Sequence, residues 1–188
     1  MLQLEGVSVL VLVEGRSDEV ALQTLAARRG RDLAAEGASI VPIGGAQAIG
    51  PVLRMIQASG RRIRLAGLCD AAEEAEFRRA LERAGLGREL TRDRIEALGF
   101  YVCEQDLEDE LIRALGVAVV QEVLARHGNL SSFRTFQKQP HWHGRPVECQ
   151  LRRFFGSSAG KIKYARPLVE ALDLTHVPRP LDGVLAHI

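Results

Sequence analysis

Glu14, Gly15, Arg16, Ser17 and Asp18 bring together the residue types most suited to chemistry in this 188-residue chain. They follow the apolar run Val7-Ser8-Val9-Leu10-Val11-Leu12-Val13 and precede a helix-like stretch over residues 19–29. A carboxylate at the mouth of a buried strand, a glycine turn and a second carboxylate one helical turn later can hold a divalent metal. Such ions activate water against phosphodiesters, so metal-dependent phosphodiester chemistry is the leading expectation. Further acids stand at the ends of apolar segments: Asp70 after residues 63–69 and Glu104 after residues 100–103. In an open parallel sheet, ligands bind beyond the carboxyl ends of the strands, where these acids would lie. Glu108 adds a different signal. On a helical projection of residues 107–115, Leu107, Leu111, Ile112 and Leu115 define an apolar face. Glu108 falls within it, and Asp109 and Glu110 point away. An inward acid has to be paired, neutralised or bound to metal. Asp106 reads as the N-cap of this helix. Glu14, Asp18, Asp70 and Glu108 could together supply one or two Mg²⁺ or Mn²⁺ ions with oxygen ligands.

These residues need a frame. Residues 7–13 are apolar on both faces, as in a parallel strand covered on both sides. Ser17 reads as an N-cap, and Val20, Leu22, Leu25 and Ala26 follow at helical spacing up to Gly30. Residues 38–43 form a second strand ending at Gly44-Gly45, a structural turn. Ile49, Val52, Leu53 and Ile56 line a second helix. Residues 63–69 form a third strand, 73–84 a charged helix, 100–103 a fourth strand and 107–115 a further helix. The repeating strand–helix order predicts an α/β fold with a mainly parallel sheet flanked by helices. Residues 117–126, 131–138, 147–155 and 161–173 have helical character without a convincing strand. We therefore expect a catalytic core over 1–116 and a helical C-terminal appendage over 117–188 that completes the same domain. Pro178, Pro180 and Gly183 predict an irregular tail.

Composition narrows the class. The formal net charge of +1 points to no partner by itself, but charge is unevenly spread. Residues 104–110 hold five acids and no base, and residues 129–168 hold eight bases against the single acid Glu148. Acids suit metal, and a basic stretch suits phosphate. Cys69, Cys103 and Cys149 are scattered and odd in number, as for reduced thiols in a cytoplasm. No apolar run approaches the roughly 20 residues that span a bilayer, so no membrane partner is expected. Residues 1–13 lack the basic start of a signal peptide.

Some motifs are set aside. The segment from Gly156 to Lys161 has one residue too few for a P-loop, Ile162 in place of Ser or Thr, and no preceding strand. It reads as a flexible loop presenting Lys161. His141 and His143 alternate in a loop with no cysteine pattern and read as surface residues. Trp142 could stack on a base of single-stranded nucleic acid, or pack into the core.

The segment from Val11 through Glu14-Gly-Arg-Ser-Asp18 to Leu22, with Gly44-Gly45 and Leu68-Cys-Asp70, resembles a Toprim domain. That is the catalytic fold of topoisomerases, bacterial primases and several nucleases. Asp106-Leu-Glu-Asp-Glu-Leu111 and Lys161-Ile-Lys-Tyr-Ala165 resemble the overcoming-lysogenization-defect (OLD) nucleases in particular. The resemblance implies a Toprim-like α/β fold and a Mg²⁺- or Mn²⁺-dependent DNA endonuclease or nickase. It assigns Glu14 as metal ligand or acid/base, Asp18 as a nearby ligand, Asp70 as the first aspartate of an Asp-x-Asp pair, and Glu108 to a second metal. Lys161 would contact the scissile phosphate, with Lys163 competing for that role, and Arg152 and Arg153 would support nucleic-acid binding. The second position of the pair is Ala72, so Glu73 or Glu74 would substitute, or the site would rely on Glu108. OLD nucleases usually carry an ATPase domain ahead of the Toprim domain. With the first strand near residue 7, a separate ATPase chain is the expected partner, if any. The alternatives are another Toprim phosphoryl transfer, such as RNA processing or nucleotidyl transfer, and a degenerate module that binds nucleic acid or an ATPase.

Overall fold

The computed structural model describes residues 5–156 and 158–188. The readings made on residues 1–4 and on Ser157 of the P-loop-like segment lie outside these.

Strand β1 (Val9–Val13) shows why the sheet is buried on both sides. Its side chains alternate between faces. Val11 and Val13 enter one apolar cluster, Leu10 and Leu12 the other, and all five residues are buried. β1 pairs in parallel with β2 (Ala38–Pro42) and with β3 (Arg64–Asp70), and β3 pairs in parallel with β4 (Phe100–Cys103). The order across the sheet is β2-β1-β3-β4.

Helices cover both faces. α1 (Arg16–Arg28) buries Ala21, Leu22, Leu25 and Ala26 against the Val11 face. On the Leu10 face lie α2 (Ile49–Ala58), α3 (Glu74–Arg83) and α4 (Arg92–Ala97), through Leu53, Phe77 and Ile95. The chain thus leaves β1 for β2 over one face and returns to β3 over the other. The strand order reverses between β1 and β3, and a crevice opens beyond their carboxyl ends at such a switch point. The turn after β2 that shapes this crevice needs its two glycines: Gly44 and Gly45 adopt φ of 82° and 105°, and both N–H groups donate to Glu14 O. Side chains rarely tolerate that backbone.

α5 (Leu107–Arg126) bends at Gly116, whose φ of 74° and ψ of 157° are not helical. α6 (Leu130–Gln137), α7 (Val147–Phe155) and α8 (Ser158–Ala171) follow. Their apolar residues, among them Phe133, Leu151 and Leu168, share the cluster of α1 and the Val11 face. Arg28 Nη1 of α1 donates to Val169 O at 2.8 Å and Leu172 O at 2.7 Å, tying α8 to α1.

Several expectations need correction. Residues 179–187 form a helix, α9 (Arg179–His187), not an irregular tail. Pro180 sits in its first turn, where a missing N–H costs nothing, and Leu181, Val184 and Leu185 are buried. Gly183 permits close approach: a Cβ there would lie 2.2 Å from Tyr101 Cε1. The short α4, capped by Thr91, adds a helix between residues 84 and 100 that the sequence pattern does not mark. α1 begins at Arg16 with Gly15 as its N-cap, so Ser17 lies buried in the first turn and does not cap. Lys161 stands on α8, not on a loop.

Candidate functional site

Glu14 leaves the end of β1 directly beside the end of β3. In the register, Val13 faces Leu68, two residues before Asp70. Glu14 Oε1 accepts a hydrogen bond from Asp70 N at 2.8 Å, so one carboxylate bridges the two strand ends. Asp18 is placed by the first turn of α1, where its Oδ2 accepts from Gly15 N at 2.8 Å. It is buried, at 9% exposure.

From the opposite side, α5 brings Asp106 and Glu108. Asp106 caps the helix by accepting from Asp109 N at 2.9 Å, and its Oδ2 also accepts from Arg152 Nε of α7 at 2.7 Å. Glu108 is buried as its position on the apolar face predicts, and its Oε2 lies 2.8 Å from Lys161 Nζ of α8. That contact is an ion pair.

The electrostatics bind these residues into one site. Burial, then the charges of Glu14 and Asp18, push Asp70 up to about 8. Asp18 rises to about 7, chiefly by burial; the Gly15 hydrogen bond opposes this, and the Glu14 and Glu108 charges add to it. Glu14 and Glu108 are likewise raised by burial. The ammonium of Lys161 opposes the rise in all four. Burial alone would lower Lys161, but Glu108, Asp106 and Asp70 outweigh it and raise its pKa. Like charges forced together out of water favour protonation, or a cation that neutralises them.

The structure thus brings Glu14, Asp18, Asp70, Glu108 and Lys161 within electrostatic reach of one another beyond the strand ends. Lys163 is exposed, and its Nζ lies 5.3 Å from the Tyr164 ring centroid. Arg152 faces Asp106, and Arg153 is exposed on α7. Glu104 stands apart from the other strand-end acids, exposed and paired with Arg113 at 3.3 Å. Glu110, expected to point outward, is buried. Its carboxylate turns back to accept from Glu104 N at 2.8 Å and meets Arg113 Nη2 at 2.8 Å, partnerships that helical projection does not register. Glu74 is committed to Arg92 and Arg78, whereas the charge of Glu73 acts on Glu14. Among the described residues, Glu73 has no ion pair of the kind that occupies Glu74. Asp106, which the sequence presents as a cap and as the first residue of the motif that carries Glu108, also acts by its charge on Asp70, Glu108 and Lys161.

The donor set suits a hard divalent ion: carboxylate oxygens, raised pKa values and a shared excess of negative charge. Among the described residues, however, no three His, Cys, Asp or Glu side chains already converge as a ready-made cage. Glu14 and Asp18 spend one oxygen each on a backbone N–H. The residues fit the ion by the chemistry of their oxygen donors and their shared negative charge.

Residues 7–71 match the family model of the overcoming lysogenization defect protein-like Toprim domain. The chain carries an OLD-like Toprim fold. Solved structures agree over nearly its whole length. The C-terminal region of the Burkholderia pseudomallei OLD protein superposes with a TM-score of 0.71 at 18% identity, covering 96% of each chain. The C-terminal region of the Xanthomonas campestris pv. campestris OLD protein gives 0.67 at 23% identity, covering 97% of this chain and 92% of that one. No curated protein matches the sequence. The Toprim match contains Glu14, Asp18 and Asp70 but ends at residue 71. Glu108 and Lys161 reach the crevice from the helical part beyond it. No helix of the described residues is long and apolar enough to cross a membrane.

Proposed function

We propose that this chain is a metal-dependent DNA endonuclease or nickase that hydrolyses phosphodiesters at the Glu14–Asp18–Asp70–Glu108 crevice. The observation that carries this reading is the buried, mutually repelling carboxylate group at the β1/β3 switch point, with Lys161 beside it. Toprim domains generally bind divalent ions. Here Glu14, Asp18, Asp70 and Glu108 would hold one or two Mg²⁺ or Mn²⁺ ions, which would supply Lewis acidity and an activated water. Glu14 joins the two strand ends and sets their spacing. Lys161, beside Glu108, would neutralise charge on the phosphate. Arg152 and Arg153 extend this positive surface along α7, and Lys163 would serve the nucleic acid from the exposed side of α8. Glu73 would take the part of the missing second aspartate. A separate ATPase chain as partner and a cytoplasmic setting belong to the same reading.

The test is purified protein with supercoiled plasmid and Mg²⁺ or Mn²⁺. Wild type should nick it, and Glu14→Gln and Asp70→Asn should each reduce nicking by at least about 100-fold, the scale of a lost transition-state contact. An intact plasmid with wild type would overturn the nuclease reading and leave the non-catalytic module, which Ala72 favours. Cleavage of structured RNA in preference to plasmid would move the substrate to RNA.

A further inference from the structure

Next to the carboxylates lies a cleft of about 610 Å³. It shares Asp106 and Lys161 with the carboxylate crevice and adds Trp142, Arg145, Arg152 and Arg153. Five cationic and three acidic side chains line it, so its net charge is positive. Arg152 and Lys161 are engaged with the acids of α5. Arg145 and Arg153 are exposed and have no carboxylate partner among the described residues. Arg145 spends only Nε, on His141 O at 2.8 Å, and a guanidinium group without a carboxylate partner can take phosphate through its remaining nitrogens.

Trp142 gives the cleft a flat apolar surface. Its ring stacks on Phe136, with centroids 5.3 Å apart and 29° between planes, and Arg145 Cζ lies 5.2 Å from its centroid. The residue is only partly buried. The turn that presents it is pinned from below. Buried Gln150 donates from Nε2 to Trp142 O at 2.8 Å, and Gln137 Nε2 donates to Gln150 Oε1 at 2.6 Å. A rigid aromatic surface loses little entropy on binding. Arg152 and Arg153, ten and eleven residues further on, lead from this turn back to Asp106 and the carboxylates.

A positively charged cleft with a stacking surface matches single-stranded nucleic acid, whose bases expose their faces. A duplex hides those faces, and the cleft is in the size range of a small-ligand pocket, roughly 300–1,000 Å³, not of a double helix. We infer that this cleft binds a single-stranded segment flanking the scissile phosphate, with a base stacked on the Arg145 guanidinium that covers Trp142 and phosphates on the outer nitrogens of Arg145 and on Arg153. The substrate class is then nucleic acid with a single-stranded stretch beside the cleavage point. The inference rests on the nuclease reading for its function, but the binding itself needs neither metal nor cleavage.

Trp142 is the one tryptophan of the chain, so its fluorescence reports directly on the cleft. Protein in EDTA would be titrated with oligothymidylate and with a blunt duplex of equal length. Saturable quenching by the single strand is expected, with weaker quenching by the duplex. Arg145→Ala and Arg153→Ala should each weaken single-strand binding at least about threefold and flatten the salt slope by roughly 0.7 per lost phosphate contact. Both side chains are exposed, and circular dichroism would confirm that the variants fold. No quenching, equal quenching by duplex, or unchanged affinity in both variants would overturn the cleft. Quenching without plasmid nicking keeps the cleft and removes the nuclease; nicking without quenching does the reverse.

Discussion

At the scale of single residues, Asp18 and Asp70 carry the clearest consequence. Their pKa values rise from an ordinary 3.8 to about 7 and about 8, mainly because burial penalises charge. The folded protein therefore binds protons that the unfolded chain releases. The stabilisation from these groups is complete below about pH 4 and is lost as pH rises toward 8. Metal-free protein should show a falling Tm between about pH 5.5 and about pH 8.5, and the Asp18→Asn, Asp70→Asn double variant should flatten that fall. A wild-type Tm that climbs over this interval, or a slope unchanged in the variant, would contradict the assignment. Mn²⁺ should raise the Tm more at the alkaline end, where protons no longer compete for the carboxylates. Glu108 was legible from its place among Leu107, Leu111 and Ile112. Glu110 was not, because a carboxylate that turns back onto its own helix start depends on Arg113 and on the Glu104 N–H, not on helical phase.

At the scale of elements, the β1–turn–α1 unit was readable because everything in it is local. An apolar strand, an extended Gly15 and an Asp18 that accepts the Gly15 N–H lie within ten residues. The position of α8 is a long-range matter. Its docking on α1 uses Arg28, whose guanidinium satisfies two carbonyls at the carboxyl end of α8 and beyond it. Replacing Arg28 with Met would strip both acceptors of a charged donor, and stability should fall by about 1–3 kcal/mol. Urea unfolding would read this as a lower midpoint at constant slope. Plasmid nicking should fall as well, because the same helix sets Lys161 against Glu108. A variant equal to wild type in both respects would show that apolar packing alone holds α8. The choice between Lys161 and Lys163 was open in the sequence for this reason. Both lie in the same basic stretch, and only the burial of Tyr164, Ala165 and Leu168 fixes the rotation of the helix.

At the scale of the molecule, α9 closes the sheet. It lies against β3 and β4, with Leu181, Val184 and Leu185 buried, and Arg179 is paired with the buried Glu96. Removing residues 179–188 would expose those apolar surfaces, each large side chain being worth about 1.5–3 kcal/mol. The shortened chain should lose its cooperative thermal transition or melt far below the full chain by calorimetry. An unchanged transition would mean that the sheet does not need this cover.

Apart from α4 and α9, the strand–helix succession, the buried parallel sheet and the acids at its carboxyl end are legible in the sequence alone. Those follow from hydrophobic period and chain direction, which are properties of neighbouring residues. Tertiary packing alone brings the distant acids within reach of one another, sets Lys161 and not Lys163 against Glu108, commits Glu74 to Arg92 and Arg78, and folds the proline-rich end into a helix. Each of those depends on how distant elements pack and on which charges are already paired, and no local pattern encodes that.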